Sequence, residues 1–336
     1  MPTLRYAGRA FDCAPGETVL AALIRQGADV PYSCRKGTCL TCLMRAPQGT
    51  VPAAAQAGLK DSLALETYFL PCICTPEQDL VLAAPDDAQV FSRATVVALE
   101  RLAPSIARVI LRPAASLYYR AGQFLNLRRA DGLVRSYSLA SVPRLDPDLE
   151  IHVKRLPGGA MSNWVFDDLA PGESLDLQGP NGTCFYVPGR EAQSLLLVGN
   201  GSGLAPLIGI ARDALQAGHR GAIHLYHGSR HPRGLYLQET LTDLAAAHPE
   251  FHYHPCVSGL VVPEGHRAGR AEAVAFGDHG DLTGWRVFLC GYPPMVQGAR
   301  KQAYLAGAAM ADIYADPFEL RELRQKPRAA LTDQVA

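Results

Sequence analysis

Cys34, Cys39 and Cys42, followed after 29 intervening residues by Cys72, constrain this chain more than any other feature. The first three read C-x4-C-x2-C, as Cys34-Arg35-Lys36-Gly37-Thr38-Cys39-Leu40-Thr41-Cys42. That spacing, with a fourth thiolate arriving from a distant segment, suits a [2Fe–2S] cluster. Two irons bridged by two sulfides need two thiolates each, and a short loop wrapped around the cluster can place three of the four. Backbone amides of the same loop can donate hydrogen bonds to sulfur and tune its potential. One end of the chain is therefore expected to carry single electrons.

Other uses of cysteine fit less well. Structural zinc usually takes two short C-x2-C pairs, and here only Cys39 and Cys42 have that spacing. Disulfides suit nine cysteines, an odd number, poorly. Cys13, Cys184 and Cys256 read as buried, unreacted thiols. Cys74, two residues past Cys72, is the competing fourth ligand. The N-terminus, Met-Pro-Thr-Leu-Arg-Tyr, enters a strand-like pattern without an apolar targeting core, so a reducing cytoplasm is expected.

A length of 336 residues allows two to three domains. Thirty-two basic residues balance 32 acidic ones, so no global field favours nucleic acid or an anionic membrane. Pro, Gly or charge breaks every apolar run before it could span a bilayer. A monomer that meets neither nucleic acid nor membrane is expected.

The pattern changes twice along the chain. Residues 3–13 read as two strands around a Gly8-Arg9 turn. Pro15-Gly16-Glu17-Thr18 opens a helix with Val19, Leu20, Leu23 and Ile24 on one face and Gly27 at its end. The cysteine loop follows, then Leu70 to Leu82 with the last cysteine and a strand. Ala83 to Asp87 reads as a linker. From Ser92 come short strands at Ala94–Arg101, Ile106–Arg112, Phe124–Arg128, Ser136–Ala140 and Leu149–Lys154, the signature of a small antiparallel barrel. Gly158-Gly159 then starts a helix, and Pro171 to Glu173 and Gly179 to Gly182 read as turns. After Ala192, strands alternate with helices: strands at 194–198, 222–227, 251–257, 286–290 and 310–315, helices at 203–217, 235–248 and 293–307. This argues a parallel, doubly wound sheet. The expected division is 1–90, 91–191 and 192–320, with a polar tail at 321–336.

Three motifs carry chemistry beyond the cysteines. Arg135-Ser136-Tyr137-Ser138 places alternate side chains on one side of a strand. A guanidinium suits a diphosphate, a phenol ring can lie against an isoalloxazine, and a serine hydroxyl can meet the ring nitrogen that takes up hydride. Downstream, Gly158 to Ser162 is a glycine turn entering a helix whose amides can bind phosphate. Gly199-Asn200-Gly201-Ser202-Gly203 closes a buried strand and opens a helix, where backbone can approach a dinucleotide closely. Cys290-Gly291-Tyr292-Pro293 ends another strand on the same carboxyl edge of the sheet.

In this combination and order the motifs resemble the flavin-dependent reductase components of multicomponent oxygenases, which follow a ferredoxin domain with an FAD domain and an NAD domain. The resemblance covers roughly residues 3–318. It implies a multidomain α+β and α/β chain: a β-grasp ferredoxin domain, an antiparallel β-barrel FAD domain and a doubly wound parallel-sheet NAD domain. It implies cluster ligands Cys34, Cys39, Cys42 and Cys72, since Pro76 and Asp79 stand four and seven residues past Cys72 as in that family. Arg135 would hold the flavin diphosphate, Tyr137 would cover one ring face and Ser138 would approach the reactive nitrogen. His152, Val153 and Lys154 would border the flavin, and Gly159, Ala160, Met161 and Ser162 would bind its pyrophosphate. Gly199, Gly201, Ser202 and Gly203 would bind the nicotinamide dinucleotide, together with Ser229, Arg230 and Gly291. Cys290 would sit beside the hydride-donating carbon, and Phe318 of Asp316-Pro317-Phe318 would cover the second flavin face. Leu40 stands where the family often has glycine, and Asn200 and Ser202 where Gly and Thr are more usual.

The function so implied is electron transfer from NAD(P)H through FAD and the cluster to a separate acceptor, an oxygenase, a monooxygenase hydroxylase or a similar redox partner. The competing readings are a direct reductase of free flavin or quinone, a reductase in deoxysugar biosynthesis, and a zinc-filled scaffold without redox activity. For the nicotinamide, Arg230 and Arg233 after the second strand of the last domain argue for NADPH. Val257-Ser258-Gly259, lacking the arginine that NADPH-specific relatives often carry after the third strand, argues for NADH. The second argument weighs more, so NADH is expected.

Overall fold

The computed structural model describes residues 1–86 and 90–318; the expected tail at 321–336 and Asp87 of the expected linker lie outside the described residues. The chain divides into two compact units. One holds residues 1–93, 126–136 and 175–181, and the other residues 94–125, 137–174 and those from Gly182 on.

Strands β1 (Thr3–Tyr6), β2 (Arg9–Asp12), β3 (Met44–Gln48), β4 (Tyr68–Phe69) and β5 (Leu80–Ala83) form a sheet in the order β2-β1-β5-β3-β4. The β1–β2 pair is antiparallel and the β1–β5 pair parallel. Helix Val19–Arg25 starts at Thr18, whose hydroxyl accepts from the Ala21 amide, the expected N-cap. Val19, Leu20, Ala22 and Leu23 bury into one core with Leu4, Phe11, Leu80 and Leu82. Three elements here leave no signal in the sequence: β3, β4 and the short helix Asp61–Leu65. That helix buries none of its residues, so it carries no apolar period to detect.

Strands β6 (Ser92–Ala103), β7 (Ile106–Pro113), β8 (Phe124–Arg128), β9 (Val134–Ser138), β10 (Leu149–Lys154) and β11 (Ser174–Asn181) form a second sheet, ordered β10-β7-β6-β11-β8-β9. The β6–β7 and β7–β10 pairs are antiparallel. Gly179-Pro180-Asn181, read as part of a turn, instead completes strand β11. Helix Ala160–Asp167 follows its glycine turn as expected, with Gly159 as N-cap.

The third sheet is parallel throughout. It comprises β12 (Leu195–Asn200), β13 (Ile223–Ser229), β14 (Phe251–Val257), β15 (Arg267–Ala268), β16 (Arg286–Gly291) and β17 (Ile313–Pro317), in the order β15-β14-β13-β12-β16-β17. The order reverses between β12 and β16, the crevice where ligands bind in such sheets. Leu195 and Leu197 pack with helix Leu204–Gln216, while Leu196 and Val198 pack with helices Ala271–Asp278 and Pro293–Leu305. Both faces are covered, so β12 is apolar along most of its length. The helix expected from Leu235 begins only at Gln238, because Leu237 turns left-handed at φ 53. Met310–Asp312, expected as strand, is a single 3-10 turn before β17. Helix Ala271–Asp278 was missed because it buries only Ala271 and Ala275 and shows little amphipathic contrast.

One face of this sheet carries histidines side by side. His224 on β13 lies opposite His252 on β14, with rings stacked at 4.6 Å, and Tyr226 lies opposite His254 at 4.3 Å. His224 Nδ1 and His254 Nε2 are 3.2 Å apart, and Trp285 stands 4.8 Å from the His279 ring. Burial lowers His224 and His254 to about 4 and the enclosed His227 to about 3. In the unfolded chain these groups titrate near 6.5, so between about pH 6.5 and 4 the unfolded state binds more protons and stability falls as pH falls. Urea unfolding followed by tryptophan fluorescence should show a lower midpoint at pH 5 than at pH 7.5. A midpoint that does not move would contradict the neutral, buried state of these rings.

Candidate redox sites

The cysteine loop is built by left-handed residues. Arg35, Gly37 and Leu40 take φ 56, 75 and 54, curling the chain between Cys34 and Cys42. A Cβ on Gly37 would stand 2.7 Å from Ile73 Cδ1, so the loop closes tightly on the segment that carries Cys72. For Leu40 the same conformation costs about 1 kcal/mol or more. The segment bearing Cys72 is anchored by helix Val19–Arg25. The Val19 amide donates to the Cys74 carbonyl at 2.8 Å and the Leu20 amide to that of Pro71 at 3.0 Å, satisfying donors that a helix start otherwise leaves unpaired.

The four thiols fall into two pairs, Cys34 with Cys39 and Cys42 with Cys72. The Cys34 amide donates to Cys39 Sγ and the Lys36 amide to Cys34 Sγ, both at 3.3 Å. A hydrogen bond from Cys39 brings Cys34 down to about 4, and one from Cys42 lowers Cys72, while Cys39 and Cys42 are pushed up. Among the described residues no three His, Cys, Asp or Glu side chains are placed to hold a single metal ion. Two thiol pairs fit two bridged irons better than one zinc. Cys74 belongs elsewhere: it is fully buried in the core with Cys13, and burial pushes its thiol up to about 12.

The second unit gathers Ser138, Asp316, Cys290 and the glycine loop. Ser138 donates its hydroxyl to Asp316 Oδ2 at 2.9 Å, and burial pushes that carboxyl up to about 6. Cys290 is fully buried, its Sγ 3.7 Å from Cys184 Sγ, and burial pushes its thiol far up. A Cβ on Gly203 would fall 2.4 Å from the Cys290 carbonyl, and one on Gly199 2.6 Å from Leu207 Cδ1. Gly291, at φ 120, faces Asn200 Oδ1, which accepts from the Tyr292 amide at 3.0 Å. Backbone contact therefore demands Gly203 and a φ of 120 demands Gly291, while Gly199 meets the end of the Leu207 side chain. Gly201 differs: a Cβ there would look toward Lys154 Nζ at 3.4 Å. Ser202 is buried. The Phe318 amide donates to the Gly291 carbonyl at 2.7 Å, which brings the terminal aromatic to the same strand end.

The remaining expected residues sort by what their side chains touch. His152 is buried between Tyr236 Oη, 3.0 Å from its Nδ1, and Glu150, 2.8 Å from its Nε2. Burial raises Glu150, but His152 and Arg108 outweigh it and bring the carboxyl to about 2. An ionised carboxylate only accepts, so Nε2 carries the proton and Nδ1 accepts from Tyr236. The His152 ring is thus committed inside the protein, and Val153 and Met161 are core side chains; any ligand contact from Val153 or Met161 would come from backbone. Ser162 accepts from the Leu156 amide and donates to the Gly159 carbonyl, spending its hydroxyl inside the turn. Ala160 opens a helix without a side-chain cap, an N-terminus suited to phosphate. Arg135, in the first unit, donates to the Val134 carbonyl at 2.8 Å, and Tyr137 is half-buried. Arg230 is exposed, and the Ser229 carbonyl accepts from the Ser258 amide. Asp316 was visible in the sequence only as the acid of the terminal signature; its hydrogen bond to Ser138 spans 178 positions and leaves no local pattern.

Family models match in the order the motifs suggested. A 2Fe–2S iron–sulfur cluster binding domain matches residues 3–77, an oxidoreductase FAD-binding domain 94–186 and an oxidoreductase NAD-binding domain 197–301. The reductase component of the naphthalene 1,2-dioxygenase system of Pseudomonas putida is 34% identical over 319 residues, covering 92% of this chain and 96% of the relative. The reductase subunit of an aromatic O-demethylase from an Amycolatopsis species is 36% identical over 308 residues, covering 88% and 91%. Among solved structures, a cytochrome P450 reductase from Amycolatopsis matches with a TM-score of 0.68 at 32% identity, covering 95% of this chain and 99% of that one. The ferredoxin reductase in carbazole 1,9a-dioxygenase matches at 0.66 and 27%, covering 94% and 98%.

The chain belongs to the family of ferredoxin–NAD(P)+ reductase components of oxygenase systems. It is an oxidoreductase with a [2Fe–2S] domain, an FAD domain and a nicotinamide domain. No helix among the described residues is long and apolar enough to cross a membrane.

The position of Cys74 gives a direct test of the fourth ligand. Cys72→Ser should abolish or strongly alter the visible and EPR spectra of the cluster, and Cys74→Ser should leave them. The reverse result would overturn the pairing of Cys42 with Cys72.

Proposed function

We propose that this protein is the reductase of a multicomponent oxygenase, passing electrons from NADH through FAD and a [2Fe–2S] cluster, one at a time, to a separate acceptor protein. The observation that carries this reading is kinship over about nine-tenths of the chain, 92% and 88%, with proteins named as reductase components of dioxygenase and demethylase systems. A direct reductase of free flavin or quinone would have no use for the paired thiols of the first unit. Three domains, 1–90, 91–191 and 192–320, with a polar tail at 321–336, are the division this reading adopts. A reducing cytoplasm is the location this reading adopts.

Cys34, Cys39, Cys42 and Cys72 are assigned to the cluster. Arg135 is assigned to the flavin diphosphate. Tyr137, Ser138, the backbone of residues 152–154 and the helix start at Gly159, Ala160, Met161 and Ser162 are assigned to the flavin, and Phe318 to its second face. The loop Gly199 to Gly203, with Ser229, Arg230, Cys290 and Gly291, is assigned to the nicotinamide dinucleotide. Bound FAD supplies the conversion between a two-electron hydride and single electrons. The chain's part is positional. Asp316 holds the Ser138 hydroxyl in a set direction, Lys154 brings a cation beside Gly201, and two helix N-termini meet phosphate. No general acid or base is required.

Two measurements test this reading. In a Cys-to-Ser cluster variant, NADH–ferricyanide activity should survive while cytochrome c reduction falls sharply; loss of both in a folded protein would contradict the order of carriers. A modest preference for NADH should also appear in kcat/KM. A Cβ on Gly259 would press on the Arg230 carbonyl at 2.3 Å, so the strand end has no room for a phosphate-gripping side chain there. A ratio favouring NADPH by about tenfold, roughly 1.4 kcal/mol, would show that Arg230 or Arg233 grips the extra phosphate.

A further inference from the structure

Asn126 lies on β8, fully buried, behind the cysteine loop. Its amide nitrogen donates to the backbone carbonyl of Cys39 at 2.6 Å and to Gln178 Oε1 at 2.5 Å. Its carbonyl oxygen accepts from the Ser136 hydroxyl, also at 2.6 Å. A backbone carbonyl can only accept, so the amide has one permissible orientation. Both of its hydrogens and its oxygen are in use, as a buried amide requires. Ser136 stands on β9 between Arg135 and Tyr137, and Gln178 stands on β11; these two strands flank β8 in the sheet. A leucine would fill the same space without any polar partner to satisfy. What the amide adds is a fixed direction.

That direction bears on Leu40. The carbonyl Asn126 holds belongs to the Cys39–Leu40 peptide, and Leu40 is left-handed at φ 54. A flip of this peptide would return Leu40 to negative φ, its preferred range, and would swing the Cys39 carbonyl away from Asn126. The hydrogen bond opposes the relaxation that the leucine side chain favours. It acts on Leu40, which follows one proposed iron ligand, Cys39, and stands two positions before another, Cys42.

We propose that Asn126 is a positioning residue for the electron step: its amide, pinned by Ser136 and Gln178, locks the Cys39–Leu40 peptide and so fixes the cluster loop against strand β8. The inference rests on the cluster assignment above. The step concerned moves one electron from reduced flavin, which is oxidised, to the cluster, which is reduced, twice for each NADH oxidised, with no bond to the chain made or broken. Loop position sets the amide hydrogen bonds that tune the cluster's potential, and the potential sets how readily the cluster accepts the electron.

The test uses the full holoprotein. Stopped-flow mixing with NADH separates flavin reduction from cluster reduction, and an EPR-monitored titration gives the cluster midpoint potential. In Asn126→Leu, cluster reduction should slow by about tenfold or more and the midpoint should shift, while flavin reduction stays within about twofold of the unaltered protein. Adding Leu40→Gly, which removes the drive to flip, should restore most of the rate and the potential. A folded, fully loaded Asn126→Leu protein with unaltered cluster rate and potential would overturn the proposal, as would equal slowing of both steps or failure of Leu40→Gly to rescue. If Asn126→Leu does not load iron, Ser136→Ala decides: it removes the hydroxyl that holds the Asn126 oxygen, so the amide grips the Cys39 carbonyl less firmly, and should broaden the EPR signal and slow cluster reduction severalfold. Unaltered behaviour there would also overturn the proposal. Absence of a [2Fe–2S] signal from the unaltered protein would instead defeat the cluster assignment itself.

Discussion

The nicotinamide unit depends on two backbones meeting at the carboxyl edge of its sheet. Gly203, entering the helix after β12, lies so close to the Cys290 carbonyl at the end of β16 that a single methyl group would separate them. Because the strand order reverses there, this contact sets how narrow the crevice is. The other parts are referred to it: Asn200 ties β12 to Tyr292, Phe318 is hydrogen-bonded to Gly291, and Asp316 one strand over reaches Ser138. The glycines are explained first by packing, and the ligand-binding geometry is a by-product of how tightly the edge closes.

A second constraint runs through the interior. Arg108, Glu150, His152 and Tyr236 form a chain of hydrogen bonds in which each charge has a partner. Glu150 stays ionised against its burial because His152 and Arg108 both bond to it. The motif strand β10 therefore serves two purposes. Its side chains secure the core, and its end delivers Lys154 to the glycine loop.

Much of this was legible in the sequence because it rests on short-range pattern. The loop from Cys34 to Cys42, the helix from Val19, the antiparallel strands and the parallel sheet all announce themselves by spacing, apolar period or glycine turns. What stayed hidden has physical reasons. Asp61–Leu65 and Ala271–Asp278 bury too little to leave a period. Gly179-Pro180 looks like a turn yet lies in a strand. Asn126, Ser136 and Gln178 are polar residues in strands, where any one alone reads as surface; only the fold brings them together across 10 and 52 positions. His152 and Ser162 were singled out as ligand contacts, but their polar atoms are bonded to the protein itself, which no linear pattern discloses.

Gly259 has a consequence for how such a protein can diverge. Its position beside the Arg230 carbonyl admits hydrogen and nothing larger unless the backbone shifts. A lineage that came to need the phosphorylated nicotinamide could not reach it by replacing Gly259 one residue at a time, because every first step would strain the strand end. The accessible route lies on the neighbouring turn, where Arg230 and Arg233 are already exposed to solvent.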